Sequence, residues 1–253
     1  MVSKPFPFFV MMKKIIIVFI SILLSSCLSD DYYVDMVDVE GGAFVMGSND
    51  EDADDDEKPL CLVTVDSFRI GRYEVTQRLW NLVMHNKNPS VFKGDNRPVE
   101  CVSWYDVHIF IHRLNEITGH SYRLPTEMEW EYAAKGGQFG HGSKYSGGEI
   151  GYVGWFIENS DSTTHDVGLL EPNELGLYDM TGNVHEWCDD FYDSLKYFHV
   201  DSILIPARGV DLRVYRGGSW YSNRQYSRIT NRNKHSAELR HYCLGFRLAE
   251  DID

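Results

Sequence analysis

The residues of this chain that could do chemistry are scattered rather than clustered. Cys61, Cys101, Cys188 and Cys243 lie far apart, with no CxxC and no Cys/His group, so a structural zinc site is not expected. Four cysteines allow three disulfide pairings, and their spacing selects none of them. His108 and His112 fall at i, i+4, one helix face apart, a spacing that can hold a metal; no carboxylate ligand motif accompanies them. Serine, histidine and aspartate for a hydrolase are present, without the strand-Gly-x-Ser-x-Gly-helix context that activates such a serine. Nine Lys or Arg (Arg208, Arg213, Arg216, Arg224, Arg228, Arg232, Lys234, Arg240, Arg247) crowd into residues 206–248 against Asp211 and Glu238. Either these cations face a ligand, or they neutralise the acidic remainder of the protein.

That remainder is strongly acidic. The 253 residues carry 24 Lys plus Arg against 38 Asp plus Glu, a net charge of −14, which argues against nucleic acid as a partner. A run from Asn49 to Glu57 is almost entirely acidic and is expected to be an exposed loop; its spacing does not fit a twelve-residue calcium loop. With 43% hydrophobic and 25% charged residues, one compact α+β domain is expected.

At the N-terminus every residue from Ile15 to Leu24 except Ser21 is apolar, after Lys13-Lys14 and before Ser25-Ser26-Cys27. This is the pattern of a signal peptide, too short to span a bilayer permanently. Its end resembles the bacterial lipobox, which implies lipidation of Cys27, a signal over residues 1–26, a tether over 27–37 and a domain over 38–250. The acidic Leu28-Ser-Asp-Asp31 resembles the surface-export tag of some Bacteroidetes lipoproteins. The expected location is the cell envelope, on an outer-membrane lipoprotein that faces the surface or the periplasm.

The elements that must position any site have visible punctuation. Strands are expected at 43–46, 61–65, 68–73, 213–221 and 244–248. Three helices are expected: Thr76 to Met84, with Thr76 as cap; Ser103 to Gly119, opened by a capping box at Ser103 and Asp106; and one opened at Thr126 and Glu129 and closed by Gly136-Gly137. Beyond Gly137 periodicity fades and loops dominate.

Seven segments together resemble the formylglycine-generating enzyme (sulfatase-modifying factor) family, whose fold is a variant of the C-type lectin fold. They are Gly41–Ser48, Tyr73–Thr76, Pro98–Trp104, Tyr122–Ala134, Asn173–Trp187, Arg216–Trp220 and Gly245–Leu248, in family order. The resemblance implies a loop-rich fold with short strands and about three helices. It does not by itself imply the activity.

Enzymes of the family oxidise a substrate cysteine with copper(I) held by two cysteines just after the Gly-Gly-Ser-aromatic motif. Here Ser222 and Ser227 occupy those positions. A serine hydroxyl stays protonated and is a hard, poor donor where copper(I) needs thiolate, so copper is not expected. The family's calcium site falls on Asp179, Gly182, Val184 and Glu186: two side-chain carboxylates and two backbone carbonyls, the hard oxygen donors calcium takes. Arg123, Glu129, Arg216 and Arg247, inside the motifs, are expected to tie loops together.

On this fold the segment after Arg216 lines the active-site groove. Without its thiolates but with Tyr221, Asn223, Arg224, Tyr226 and His241, that groove has the vocabulary of a binding surface. Some relatives carry diversified residues there; the Tyr, Ser, Asn and His content is compatible with that, whereas Lys234 and Gln225 do not fit an asparagine-codon origin. The leading expectation is a non-catalytic lipoprotein that binds a protein, peptide or glycan, or serves as scaffold in a secretion or motility complex. The alternative is an oxidoreductase of the same family using another metal or mechanism.

Overall fold

The computed structural model describes residues 32–194 and 211–252. The expected signal peptide, Cys27 and Arg208 lie outside them. Residues 35–252 fall within one compact unit.

The three expected helices form where their caps place them: α1 (Gln77–Val83), α2 (Trp104–Thr118) and α3 (Glu127–Ala134). Thr76, Ser103 and Thr126 each accept a backbone N–H of the first turn, and Asp106 and Glu129 complete reciprocal boxes. Gly119, at φ 76°, ends α2 in the left-handed conformation. A single turn, α4 (Ile150–Val153), is the fourth helix. The fold is thus mixed α+β and loop-rich, as expected.

Eleven short strands make four small sheets among the described residues. β1 (Met36–Val39), β4 (Phe68–Gly71) and β11 (Ala249–Asp251) form one antiparallel sheet, with Val37 and Ala249 both opposite Ile70. β2 (Gly42–Met46) pairs with β3 (Cys61–Val65), and β5 (Gly154–Trp155) with β6 (Thr181–Gly182). The site sits on the fourth sheet, ordered β10 (Leu244–Gly245), β7 (His185–Phe191), β8 (Leu212–Arg216), β9 (Asn233–Ser236).

Three expected strands are shorter than their sequences suggested; the one expected over 68–73 ends at Gly71. The strand expected over 213–221 stops at Arg216, because Gly217 and Gly218 turn through positive φ (96° and 74°) and a Cβ on Gly218 would come within 2.7 Å of Ser227. The strand expected over 244–248 pairs with β7 only at Leu244 and Gly245.

The core gathers Val39, Phe68, Ile70, Trp130, Leu177, Met180, Cys188, Val214 and Ile229 between the sheets and α3. Trp80 stacks on Phe110 at 5.2 Å and Phe246 closes the group edge-on, pinning α1 to α2.

Candidate functional site

The acidic run is exposed as expected at 49–51, 54 and 55, but it is pinned at its buried residues. Glu57 is fully buried and Ala53 nearly so. The Arg228 fork meets both Glu57 oxygens at 2.6 Å, and Thr230 donates to Glu57 at 2.7 Å. Asn231 reaches Asp54, Arg232 donates to the Asp56 carbonyl, the Gln225 amide donates to the Asp52 carbonyl, and Lys144 pairs with Asp52. The self-repulsion that argued for an open loop is cancelled by cations brought in from residues 144 and 225–232.

Carboxylates elsewhere in the fold pair with most of the described basic tail in the same way. Arg216 bonds Glu127 at 2.7 Å and Glu131 at 2.5 Å, and Arg232 forks onto Glu127. Arg247 holds Glu186 through two bonds, while Arg240 pairs with Asp106 and Arg224 with Glu158. Arg213 lies against the rings of Trp104 and Phe191, with Asp211 bonded to its Nε. Of the two possibilities left by the sequence, neutralisation describes the arginines. Arg123, joined to Glu129 and Asp251, also ties loops as expected.

The pocket lies on the other face of that segment. After the Gly217-Gly218 turn, Trp220 is anchored: its backbone N–H donates to Asn183, its indole donates to the Tyr242 carbonyl, and Phe92 packs edge-on. That anchor leaves Tyr221 57% exposed. Asn223 then caps a short 3-10 turn, accepting from Tyr226 N–H, and Tyr226 is left 50% exposed. Together with Ile157, His185, Ser222 and Asn233 they line a cavity of about 370 Å³.

Ser222 is held firmly at this cavity. Its Oγ accepts from the Ser219 N–H at 3.1 Å, lies 3.1 Å from Ser219 Oγ, and is 3.3 Å from His185 Nε2. Burial pushes the His185 pKa down to about 4, so the ring is neutral at physiological pH. Ser227 is fully buried and donates to the Asn223 carbonyl at 3.0 Å. The two serines at the positions of the family's thiolates therefore have different environments, one at the cavity and one stitching the turn.

Of the expected ligand residues, Tyr221, Asn223 and Tyr226 converge on the cavity. Arg224 is outside its lining, forked onto Glu158 and lying over Phe156. His241 also falls outside it, with Nδ1 2.9 Å from Cys243 Sγ. Sequence reasoning missed Ile157, Asn233 and His185. The last lies within the Asn173–Trp187 motif, where only strand register would have aimed it at the groove; Ile157 and Asn233 carried no signal.

Behind the cavity is a buried acidic centre. Glu186 accepts from Arg247 Nη2 at 2.6 Å, Arg247 Nε at 2.7 Å and Trp130 Nε1 at 2.7 Å. Asp179 takes the Gly168 N–H on Oδ2, while its buried Oδ1 has no hydrogen-bond partner. Burial pushes the Asp179 pKa up to about 6. Glu74, which accepts from Asn183 and Val184 N–H, is raised well above its ordinary range by burial and by the nearby Asp179 and Glu186. Gly182, at φ 85°, allows the turn between Asp179 and Glu186: a Cβ there would strike the Trp155 carbonyl at 2.1 Å.

Tested against calcium, the open Asp179 Oδ1 suits a cation. Glu186 has three of its roughly four acceptor sites in use and can offer one more. Among the described residues no three His, Cys, Asp or Glu side chains are grouped to hold a metal, so carbonyls or water would supply most of such a shell. His108 lies 3.3 Å from Asp189 and His112 3.4 Å from Glu116.

The family model for the sulfatase-modifying factor enzyme 1-like domain matches residues 29–252. The chain belongs to this family. It is 34% identical over 255 residues to the chaperone protein LppX of Paenibacillus barcinonensis, covering 80% of this chain and 84% of that one. It is 31% identical over 248 residues to the serine/threonine-protein kinase Pkn1 of Chlamydia trachomatis, covering 86% of this chain but only 38% of the kinase. Among solved structures, Treponema denticola variable protein 1 superposes with a TM-score of 0.75 at 32% identity, covering 86% of this chain and 95% of that one. The family also includes formylglycine-generating enzymes and a mouse protein described as inactive, 27% identical over 280 residues, with 85% of each chain covered. Membership therefore fixes the scaffold and leaves the activity to the site.

Proposed function

We propose that this sulfatase-modifying-factor domain binds a partner rather than oxidising one, in an envelope lipoprotein anchored in the outer membrane through Cys27. The observation that carries the proposal is the state of Ser222 and Ser227. One is a hydroxyl held by three polar contacts, the other is buried in the turn, and neither gives copper(I) a soft ligand. The cavity that Ser222 borders is lined by neutral groups: two exposed tyrosines, two asparagines, a neutral histidine, a serine and an isoleucine. Rings and amides of this kind make contacts at low entropic cost. A protein, peptide or glycan surface suits them better than a charged small molecule, and the relative described as a chaperone supports a polypeptide.

In this proposal a calcium ion stiffens the domain behind the cavity, held by Asp179 Oδ1, the Gly182 and Val184 carbonyls and the remaining Glu186 lone pair. The test is a photo-crosslinking residue placed at Tyr221 in the full chain in its own envelope. The expected result is a discrete crosslinked partner, absent when the same residue replaces Tyr105 on α2. Oxidation of a cysteine-containing peptide by the purified chain would contradict the proposal.

A further inference from the structure

The sequence leaves three pairings open for Cys61, Cys101, Cys188 and Cys243, and the fold distinguishes among them. Cys188 is sealed in the main core with Val214 and Ile229. Cys61 opens β3 opposite Met46. Cys101 and Cys243, by contrast, lie on two stretches of chain that run side by side. The Cys101 N–H donates to the His241 carbonyl at 3.0 Å, two residues before Cys243. Two residues after it, Gly245 approaches Val99 so closely that a Cβ would come within 2.4 Å of the Val99 carbonyl oxygen. Cys243 is therefore bracketed by contacts with 99 and 101, and its sulfur is near enough for its charge to act on the Cys101 thiol. Cys101 also holds a left-handed φ of 61°, unusual for a residue with a side chain.

We propose that Cys101 and Cys243 are a disulfide site, joining the segment before α2 to the segment before β10. The oxidant is a disulfide donor, such as a thiol–disulfide oxidoreductase or oxidised glutathione. One thiolate attacks the donor to give a mixed disulfide and releases one thiol; the second displaces the other, so one S–S bond is exchanged for another and two donor thiols leave with the two protons. The bond would touch the pocket. Cys243 Sγ lies 2.9 Å from His241 Nδ1, and Ser219, which acts on the same thiol, lies 3.1 Å from Ser222 Oγ, so oxidation changes the surroundings of a group one step from the cavity. Cys101 lies against the Glu100 carboxylate, and burial and that contact push its thiol up to about 12; burial raises Cys243 to about 11. The thiolate is the attacking species, so bond formation accelerates about tenfold per pH unit between 7 and 9.

The test uses the full chain in detergent, exposed to excess oxidised glutathione, alkylated in denaturant without reductant, digested and weighed. The expected result is a peptide pair joining Cys101 to Cys243, about 2 Da lighter than the separate thiol peptides, with Cys61 and Cys188 alkylated. Oxidised chain is expected to melt roughly 5–15 °C above reduced chain, because the bond closes a long loop. The Cys61→Ser/Cys188→Ser double variant keeps the link. Complete alkylation of Cys101 and Cys243, or a link from either to any other cysteine, overturns the proposal.

Discussion

The arginines of residues 213–247 and the ring and amide side chains of 221–233 belong to one stretch of chain and meet opposite environments. Arg216, Arg228 and Arg247 are essentially buried, each bonded to one or two glutamates from a distant segment, whereas Tyr221 and Tyr226 are half exposed and border the cavity. Charge in this segment closes the fold, and the surface left for recognition is neutral. The net basic count of the tail is therefore matched by carboxylates of the fold itself, from the acidic loop and α3 to Glu186, Asp106 and Glu158.

Breaking one buried fork gives the largest effect expected from this contrast. Arg228→Ala leaves Glu57 buried without its main cation and should cost about 3–5 kcal/mol in urea unfolding, with the 52–57 loop opening to proteolysis. A loss under about 1 kcal/mol would mean that the Glu57 fork does not anchor that loop. The same fork sets an acid sensitivity. Burial alone would raise Glu57, but the Arg228 and Thr230 hydrogen bonds outweigh it and hold the carboxyl below its ordinary value. Its contribution is present above the unfolded pKa and is lost as pH falls through the depressed folded one, so Arg228→Ala flattens the acid limb of a pH–stability profile.

Asp179 titrates with the opposite sign. Its folded pKa of about 6 exceeds the ordinary value of 3.8, so the folded state holds the proton more tightly and stability falls as pH rises between those values. Without calcium, Asp179→Asn should stabilise the domain at pH 7 by on the order of 3 kcal/mol, and the variant's melt should lack the calcium stabilisation expected of the wild type. The calcium increment itself should grow from pH 5 to pH 7. A variant that still gains stability from calcium would remove Asp179 from the proposed site.

On the exposed face the effects invert, with function lost and stability kept. Tyr221→Ala and Tyr226→Ala should each weaken partner capture about tenfold or more while changing stability by less than about 1 kcal/mol. The smallest effect is at Arg224. Its pair with Glu158 leaves both side chains about half exposed, so Arg224→Ala should shift stability by under about 1 kcal/mol and alter partner capture less than either tyrosine.

How far these two regions could be read in the sequence differs for a physical reason. Caps and capping boxes are local, and Thr76, Ser103 and Thr126 set the three main helices where they were expected. The Arg123, Arg216 and Arg247 forks were legible because they sit in ordered motifs. The pairing of Asn49–Glu57 with residues 225–232 was not, since it joins segments about 170 positions apart and composition sees only local repulsion. The cavity was half legible: Tyr221, Asn223 and Tyr226 follow one another on a turn, whereas His185 and Asn233 arrive from strands whose register the sequence did not announce. Arg224 and His241 were drawn in by residue type, and the Glu158 carboxylate and the Cys243 sulfur account for where they sit instead.

The most direct test of the central claim is the metal content of the full chain, purified without chelators, offered copper(I) and calcium, dialysed and measured by elemental mass spectrometry. The account predicts no retained copper, a cysteine-containing peptide left unchanged, and calcium near one ion per chain that is lost on Asp179→Ala. Stoichiometric copper surviving dialysis, with loss of the peptide thiol, would contradict it.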